Sequence, residues 1–109
     1  MKGSQMTIYV ADQKHPQERK PIVEWLLDKI EAAGVRGATV MKTSECVDAS
    51  GRYHANGFFE LADHPAAVTV AAQDDRIDML VESLRQSGVH LFYTRRPVEY
   101  GELGDPEGA

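Results

Sequence analysis

An internal repeat is the feature that most restricts how this chain can fold. A helical pattern of apolar residues that ends in Gly-Val occurs twice at one constant offset, with Leu26, Leu27, Ile30, Gly34 and Val35 recurring as Leu80, Val81, Leu84, Gly88 and Val89. β-Prone segments flank both copies, so each half is predicted to form a strand, a helix and a second strand. Because such units cross over with a right hand, two of them predict an α+β ferredoxin-like βαββαβ sandwich with both helices on one side of the sheet. The uncovered sheet face favours self-association.

The element boundaries follow from β-propensity, apolar spacing and helix-terminal residues. The first helix is predicted to begin at Pro21 and to end at Gly34, and the second is expected to be capped by Asp74 or Asp75 and to stop at Gly88. Strands are predicted at residues 6–11, 38–46, 66–72 and 89–98, with a strand or hairpin arm at 54–61 and an exposed loop at 47–53 between the second and third strands. Residues 6–100 are expected to form one domain and residues 101–109 an acidic, flexible tail.

Charge and cysteine content narrow the functional class. The 12 Lys and Arg residues are outnumbered by 17 Asp and Glu residues, which gives a net charge of -5 and argues against a nucleic-acid binder with a broad basic face. A single small anion needs only two or three donors and is compatible with this charge. Cys46 is the only cysteine, so neither an intramolecular disulfide nor a cysteine-cluster zinc site can form, and a cytoplasmic location is expected.

No motif of an enzyme active site is present. The four histidines lack ligand spacing, and the chain has no nucleophile elbow, phosphate-binding Walker loop or HExxH helix. We therefore predict no catalytic residue, no bound metal and no cofactor. The alternative is a ferredoxin-like enzyme, or a metal-binding protein of the CutA type, that uses His54 together with nearby carboxylates such as Glu60 and Asp63.

Two short segments are candidates for anion binding. Arg95 and Arg96 are adjacent on a predicted strand and must point to opposite faces, so one of them can enter a cleft. The guanidinium fork suits phosphate because it binds two oxygens at once. Gly37 follows a glycine that already ends the helix, and a second glycine at a strand start permits close approach of a ligand or of another backbone.

Several blocks of the sequence resemble the PII-like proteins of the domain-of-unknown-function family 190, over roughly residues 6–100. The blocks are Thr7-Ile8-Tyr9-Val10, Gly37-Ala38-Thr39-Val40, Gly51-Arg52-Tyr53-His54, the run from Phe59 to Val68, and Asp74-Asp75-Arg76-Ile77. The resemblance implies a homotrimer packed sheet to sheet, with nucleotide sites in the clefts between subunits. It also implies regulation of a partner, either a membrane transporter or an enzyme, through the T-loop between the second and third strands.

Site residues follow from the same resemblance, position by position. Nucleotide contacts are expected from the start of the second strand, from the turn at residues 73–76 and from the end of the last strand. The residues predicted to bind the nucleotide are Arg36, Gly37, Ala38, Thr39, Arg95 and Arg96. The T-loop residues expected to meet a partner are Ser44, Glu45, Asp48, Arg52, Tyr53 and His54. The turn before the second helix, Ala72-Gln73-Asp74-Asp75, is acidic where signalling PII proteins have a Gly-rich, Lys-containing turn, so AMP, ADP or cyclic AMP is favoured over Mg-ATP as the effector.

Overall fold

The computed structural model describes residues 1–11, 20–42, 45–47, 53–55 and 65–104 of the 109-residue chain. Its elements are, in order, strand β1 (Lys2–Ala11), helix α1 (Ile22–Ala32), strands β2 (Thr39–Lys42), β3 (Glu45–Val47), β4 (Tyr53–Ala55) and β5 (Pro65–Ala72), helix α2 (Asp74–Ser87) and strand β6 (Phe92–Glu99). Strands β2, β5, β1 and β6 form one four-stranded sheet in that spatial order, and β3 and β4 form a separate two-stranded sheet. All pairings are antiparallel. This is the predicted ferredoxin-like order, with a hairpin added between the second and third strands of the main sheet.

The core lies between one face of the main sheet and the two helices. Side chains alternate along β1, so that Met6, Ile8 and Val10 are buried while the residues between them are at least partly exposed. The helices contribute most of the residues that the repeat predicted, among them Leu26 and Leu80, both fully buried, whereas the repeat position Leu27 is exposed. Burying such a side chain contributes about 1.5–3 kcal/mol, so the repeated apolar positions account for the placement of both helices on the same face.

Three strand boundaries differ from the sequence prediction by more than one residue. Strand β1 begins at Lys2 rather than at residue 6, because residues 2–5 pair with residues 96–99 of β6. Strand β6 begins at Phe92 rather than at residue 89. The predicted strand at 38–46 spans two strands, since β2 ends at Lys42 in the main sheet and β3 belongs to the hairpin. β-Propensity did not reveal this change of sheet, because both segments have strand-forming residues.

The helix ends are partly as predicted. Gly34 follows α1 with a φ of 79°, and its N–H and that of Val35 donate to the carbonyls of Glu31 and Ile30, which is the double hydrogen bond of a Schellman C-terminus. The predicted acidic cap on α2 was wrong: Gln73 is the N-cap residue and its side chain forms no capping hydrogen bond. The Asp74 carboxylate instead accepts a hydrogen bond from the Ser4 hydroxyl on β1.

The predicted loop at 47–53 was wrong at both ends, because Val47 and Tyr53 are strand residues of a short hairpin. Cys46 of β3 pairs with His54 of β4, and Val47 pairs with Tyr53. The backbones of Glu45, Tyr53 and His54 are therefore in strands. Ser44, Asp48 and Arg52, together with residues 56–64 and the end of the tail at 105–109, lie outside the described residues.

Candidate functional site

A cleft of about 550 Å³ opens at the end of the main sheet where three chain segments meet. The segments are the turn after α1, the turn before α2 and the residues that follow β6. The lining residues are Met1, Gly34, Arg36, Ala71, Ala72, Gln73, Arg76, Tyr100, Gly101 and Glu102. The structure thus brings together two of the regions expected to form a nucleotide site, Arg36 and residues 73–76.

Backbone conformation at Gly34 shapes one wall of this cleft. The φ of 79° is in the left-handed region, which L side chains rarely adopt. A Cβ atom built on Gly34 would lie 3.1 Å from Nη1 of Arg76 and 3.4 Å from its Cζ, so the guanidinium lies directly over the glycine. Gly34 therefore ends α1 and also leaves the space in which the Arg76 side chain rests.

The cleft has an excess of unpaired positive charge. Within the residues that the structure describes, neither Arg36 nor Arg76 has a salt-bridge partner. Among the lining residues that the structure describes, Glu102 is the acidic one. The nearby carboxylates of α2 have other partners, since Asp75 Oδ1 accepts from the backbone N–H of Arg76 at 2.8 Å and Asp74 accepts from Ser4. Two arginines beside the amino end of a helix, which carries a partial positive charge, suit a small anion.

A second depression of about 520 Å³ adjoins the cleft at Arg36. Its lining includes the apolar residues Leu27, Ile30 and Val35, the acidic Glu31, and Gly37 and Ala38, while Gly34 and Arg36 border both spaces. Gly37 has a φ of 118° and no heavy atom within 4 Å of a built Cβ, so the backbone conformation requires glycine and the surface above it is open. An apolar floor beside a cation can accept a flat heteroaromatic ring whose phosphates extend toward the arginines.

Arg95 and Arg96 lie on opposite faces of the sheet, as their adjacency predicts. Arg95 is on the helix side, where its Nε donates to Ser4 Oγ at 3.1 Å and its Nη1 to Asp78 Oδ1 at 2.7 Å. The hydrogen bond with Asp78, supported by the charges of Asp78 and Asp74, raises the pKa of Arg95 above its ordinary value despite partial desolvation. Arg96 is exposed on the other face, and its Nε donates to Gln5 Oε1 at 2.9 Å. The two guanidinium groups therefore cannot line the same cleft within one chain.

The face of the sheet that the helices leave open carries two ordered rows of side chains. One row crosses all four strands at Thr39, Thr69, Thr7 and Thr94, which are successive register partners. The hydroxyls of Thr7 and Thr69 are 3.0 Å apart. The adjacent row consists of Met41, Ala67, Tyr9 and Phe92, again in register. We call these four residues the apolar row.

Exposure in the apolar row is high for such side chains. Met41, Tyr9 and Phe92 are 62%, 42% and 51% exposed, and the rings of Tyr9 and Phe92 are in contact at a centroid distance of 5.8 Å. Thr39, predicted to bind nucleotide, lies in the threonine row rather than among the residues that line the cleft. The open face thus has the composition of a contact surface rather than of a solvated sheet.

The sequence analysis missed two features of the cleft. Arg76 was included in the turn at 73–76 but was not singled out as a ligand, and Tyr100 lay at the predicted domain boundary. The signal for Arg76 was its place in the first turn of a helix beside an unusual cluster of carboxylates. Tyr100 is brought to the cleft by its backbone N–H, which donates to the carbonyl of Met1 at 2.8 Å and extends the β1–β6 pairing.

Neither a metal centre nor a membrane span appears in the described part of the chain. Among those residues, no three His, Cys, Asp or Glu side chains are grouped so that they could hold a metal ion. His90 is exposed, and the side chain of His54 is outside the described set, so the CutA-type alternative stays untested. The helices described here are too short to cross a bilayer.

Comparison with known proteins assigns the sequence to a family. The model of the family DUF190, described as Uncharacterized ACR, matches residues 3–100. No curated protein sequence matches the chain.

Solved structures share the fold at low sequence identity. CPII, a nitrogen regulatory PII-like protein from Thiomonas intermedia K12 bound to ADP, AMP and bicarbonate, has a TM-score of 0.68 at 14% identity, over 94% of this chain and 91% of that chain. The apo form of CPII has a TM-score of 0.59 at 12% identity, over 94% and 96% of the two chains. A PII-like signalling protein from Thermus thermophilus has a TM-score of 0.62 at 11% identity, over 89% and 87%.

Proposed function

The chain belongs to the DUF190 family and has a PII-like fold, and from this premise we propose that it is a regulatory protein whose effector is an adenine nucleotide. AMP, ADP and cyclic AMP are the candidate ligands. One observation carries the proposal: Arg36 and Arg76, which have no acidic partner among the described residues, line the same cleft at the amino end of α2, next to a mostly apolar depression. The ligands of CPII, ADP and AMP among them, support the same class of effector.

The proposed pose uses both spaces around Arg36. The adenine ring packs over Gly37 and Ala38 against the apolar floor, and the phosphates extend toward Arg36 and Arg76. Glu102 in the lining disfavours a long, highly charged phosphate chain. A mono- or diphosphate therefore fits the charge of the cleft better than a triphosphate does.

Assembly into a homotrimer through the open sheet face is part of the proposal. The apolar row provides exposed aromatic and thioether groups that water solvates poorly, and the helices cannot cover it because both lie on the other side. Arg96 is exposed on this same face, so in a trimer it would reach toward a neighbouring copy. We assign Arg96 to the phosphate site of that neighbour, whereas the donors of Arg95 are engaged within its own chain.

Regulation of a partner is proposed to pass through the hairpin of β3 and β4. This hairpin is separate from the main sheet and is held by three register pairs, so it can present residues 48–52 without disturbing the core. The candidate partners are a membrane transporter or an enzyme. Replacing residues 48–52 by glycine and serine is expected to abolish capture of the partner and to leave nucleotide binding intact; loss of both functions would contradict this division.

Titration calorimetry with AMP, ADP and cyclic AMP tests the nucleotide site. Arg76→Ala is expected to weaken ADP binding by about tenfold or more, because a hydrogen bond to a charged group contributes about 1.5–3 kcal/mol. Arg85→Ala is the matched control, since Arg85 lies on the same helix and pairs with Glu82 at 2.8 Å outside the cleft. Equal affinities for the two variants would refute the proposed site, and absence of heat with all three nucleotides would refute the proposed ligand class.

A further inference from the structure

A polar network connects β1, β6 and the first turn of α2. Ser4 lies at its centre and is 5% exposed, and it is the one buried polar residue in the described part of the chain. Its hydroxyl donates to Asp74 Oδ1 and accepts from Arg95 Nε at 3.1 Å. This buried hydroxyl uses its donor and also accepts a hydrogen bond, so the network fixes the position of Asp74 relative to the sheet.

Arg95 holds α2 at two further points. Its Nη1 donates to Asp78 Oδ1 at 2.7 Å, and its Nη2 lies 3.5 Å from the backbone carbonyl of Asp74 and 3.6 Å from Asp74 Oδ1. Asp74 and Asp78 are one turn apart on the helix. The planar guanidinium on β6 therefore contacts two carboxylates that are one turn apart on α2. These contacts restrict both the position of the helix along its axis and its rotation about that axis.

The cleft depends on the same turn of α2. Gln73, the N-cap residue directly before Asp74, and Arg76, two residues after it, both line the cleft. Arg95 and Ser4 do not line it. A change in the position of Asp74 is therefore transmitted to both cleft residues through the backbone, without any contact between Arg95 and a ligand.

Charge gives Arg95 a second effect on the cleft. Asp74 and Asp78 would otherwise place two negative charges near the anion site, and the single positive charge of Arg95, at salt-bridge distance from both, offsets half of them. We infer that Arg95 and Ser4 are positioning residues that hold the first turn of α2 in the geometry required for anion binding, and that Arg95 also offsets part of the charge of Asp74 and Asp78; this inference rests on the proposed nucleotide function.

Two measurements on the same variants test the inference. Calorimetry with ADP gives the affinity, and amide hydrogen exchange gives the protection of the first turn of α2 without ligand, at the N–H groups of Arg76 and Ile77 that donate to the Gln73 carbonyl. Arg95→Met removes the guanidinium, and with it the contacts to Ser4, Asp74 and Asp78 and one positive charge. Ser4→Ala removes only the bridging hydroxyl and leaves the net charge unchanged. Arg85→Met is the control for the loss of one arginine, because Arg85 is in the last turn of the same helix, away from the network, and pairs with Glu82.

Arg95→Met and Ser4→Ala are both expected to speed exchange at Arg76 and Ile77 and to weaken ADP binding, by about twofold to thirtyfold, the range for substitutions that act on a site without touching its ligand. The larger loss is expected for Arg95→Met, because that variant also exposes the cleft to the charges of Asp74 and Asp78. Arg95→Lys should restore binding only in part, since an ammonium keeps the charge but cannot contact Ser4, Asp74 and Asp78 together. Arg85→Met should change neither measurement.

Four other outcomes would contradict the inference, and each would contradict a different step of it. Wild-type exchange and affinity in Ser4→Ala and Arg95→Met would show that the network positions nothing. Weaker ADP binding with unchanged exchange would show that Arg95 contacts the ligand directly. Full ADP affinity in Arg95→Lys would show that only the charge of Arg95 matters and not its contacts with Ser4, Asp74 and Asp78. Absence of ADP binding in the wild type would refute the proposed function, and with it the role of Arg95 in that function, whereas the first three results leave nucleotide binding itself in place.

Discussion

Gly34 joins the end of α1 to the wall of the cleft, and its replacement by alanine separates the two roles. Gly34 and Gly88 have nearly the same φ, 79° and 76°, and each follows one of the two helices. Alanine in this region costs about 1–2 kcal/mol, because its Cβ approaches the following carbonyl. Gly34→Ala and Gly88→Ala are therefore both expected to lower the free energy of unfolding by about that amount.

The surroundings of the two glycines differ. A Cβ on Gly88 has no heavy atom within 4 Å, whereas a Cβ on Gly34 lies 3.1 Å from Nη1 of Arg76. That atom belongs to the end of a flexible side chain, so it can move away at little cost in stability. The move displaces the guanidinium from the position where the proposed phosphate site needs it. We expect Gly34→Ala to weaken ADP binding several-fold and Gly88→Ala to leave the affinity unchanged.

Thermal unfolding and calorimetry on the two variants provide the assay. A loss of 1 kcal/mol shifts the Tm of a domain near 100 residues by about 4–8 °C, so both variants should show a comparable decrease at equal protein concentration. Binding is measured well below either Tm, where both variants are folded. An equal loss of ADP affinity in the two variants would assign the effect to general destabilisation, and an unchanged affinity in Gly34→Ala would refute the assignment of Arg76 to the anion site.

Three further predictions concern the core, the open face and the network. Leu80→Ala is expected to lower the unfolding free energy, measured by chemical denaturation, by about 2–5 kcal/mol, because Leu80 is 0% exposed. The same change at its neighbour Met79, which is 51% exposed, should lower it by well under 1 kcal/mol. Tyr9→Glu places a charge in the apolar row and should convert the proposed trimer to monomers in light scattering; an unchanged mass would exclude that face as the interface. Because the pKa of Arg95 is raised in the folded protein, its contribution to stability is complete below the ordinary arginine pKa and is lost only as the pH rises through the higher folded value. The loss of unfolding free energy in Arg95→Met should therefore be equal at neutral and mildly alkaline pH. A loss that becomes smaller over this interval would contradict the ion pairing of Arg95 with Asp78 and Asp74.

The parts of the fold that the sequence predicts are those set by local periodicity. The repeated positions Leu26 and Leu80 are buried as expected, and alternation along a strand correctly sends Arg95 and Arg96 to opposite faces. Gly34 and Gly88 end their helices because the left-handed conformation there is a local requirement. Each of these predictions depends only on residues within a few positions of one another.

Contacts between distant segments are what the sequence did not predict. Asp74 has the residue type of a helix cap, but it is the first residue of the helix itself, and Ser4, which is 70 residues away in the chain, donates to its carboxylate. The early start of β1 at Lys2 is decided by its partners in β6 rather than by its own β-propensity. The pairing of Gly34 with the Arg76 side chain likewise exists only after α1 and α2 have packed together. These contacts define the cleft, which is why its full lining could not be inferred beforehand.

The register of the main sheet connects the proposed assembly with the proposed ligand. Gln5 on β1 is opposite Ala71 on β5 and Arg96 on β6, so these three residues form a row across the open face. Ala71 also lines the cleft, and Gln5 accepts a hydrogen bond from Arg96. A second copy that packs on the apolar row would therefore cover the open face up to the rim of the cleft. Assembly would bring a neighbouring surface to the anion site, and ligand binding would in turn favour the assembled state, because any ligand that contacts two copies stabilises their association.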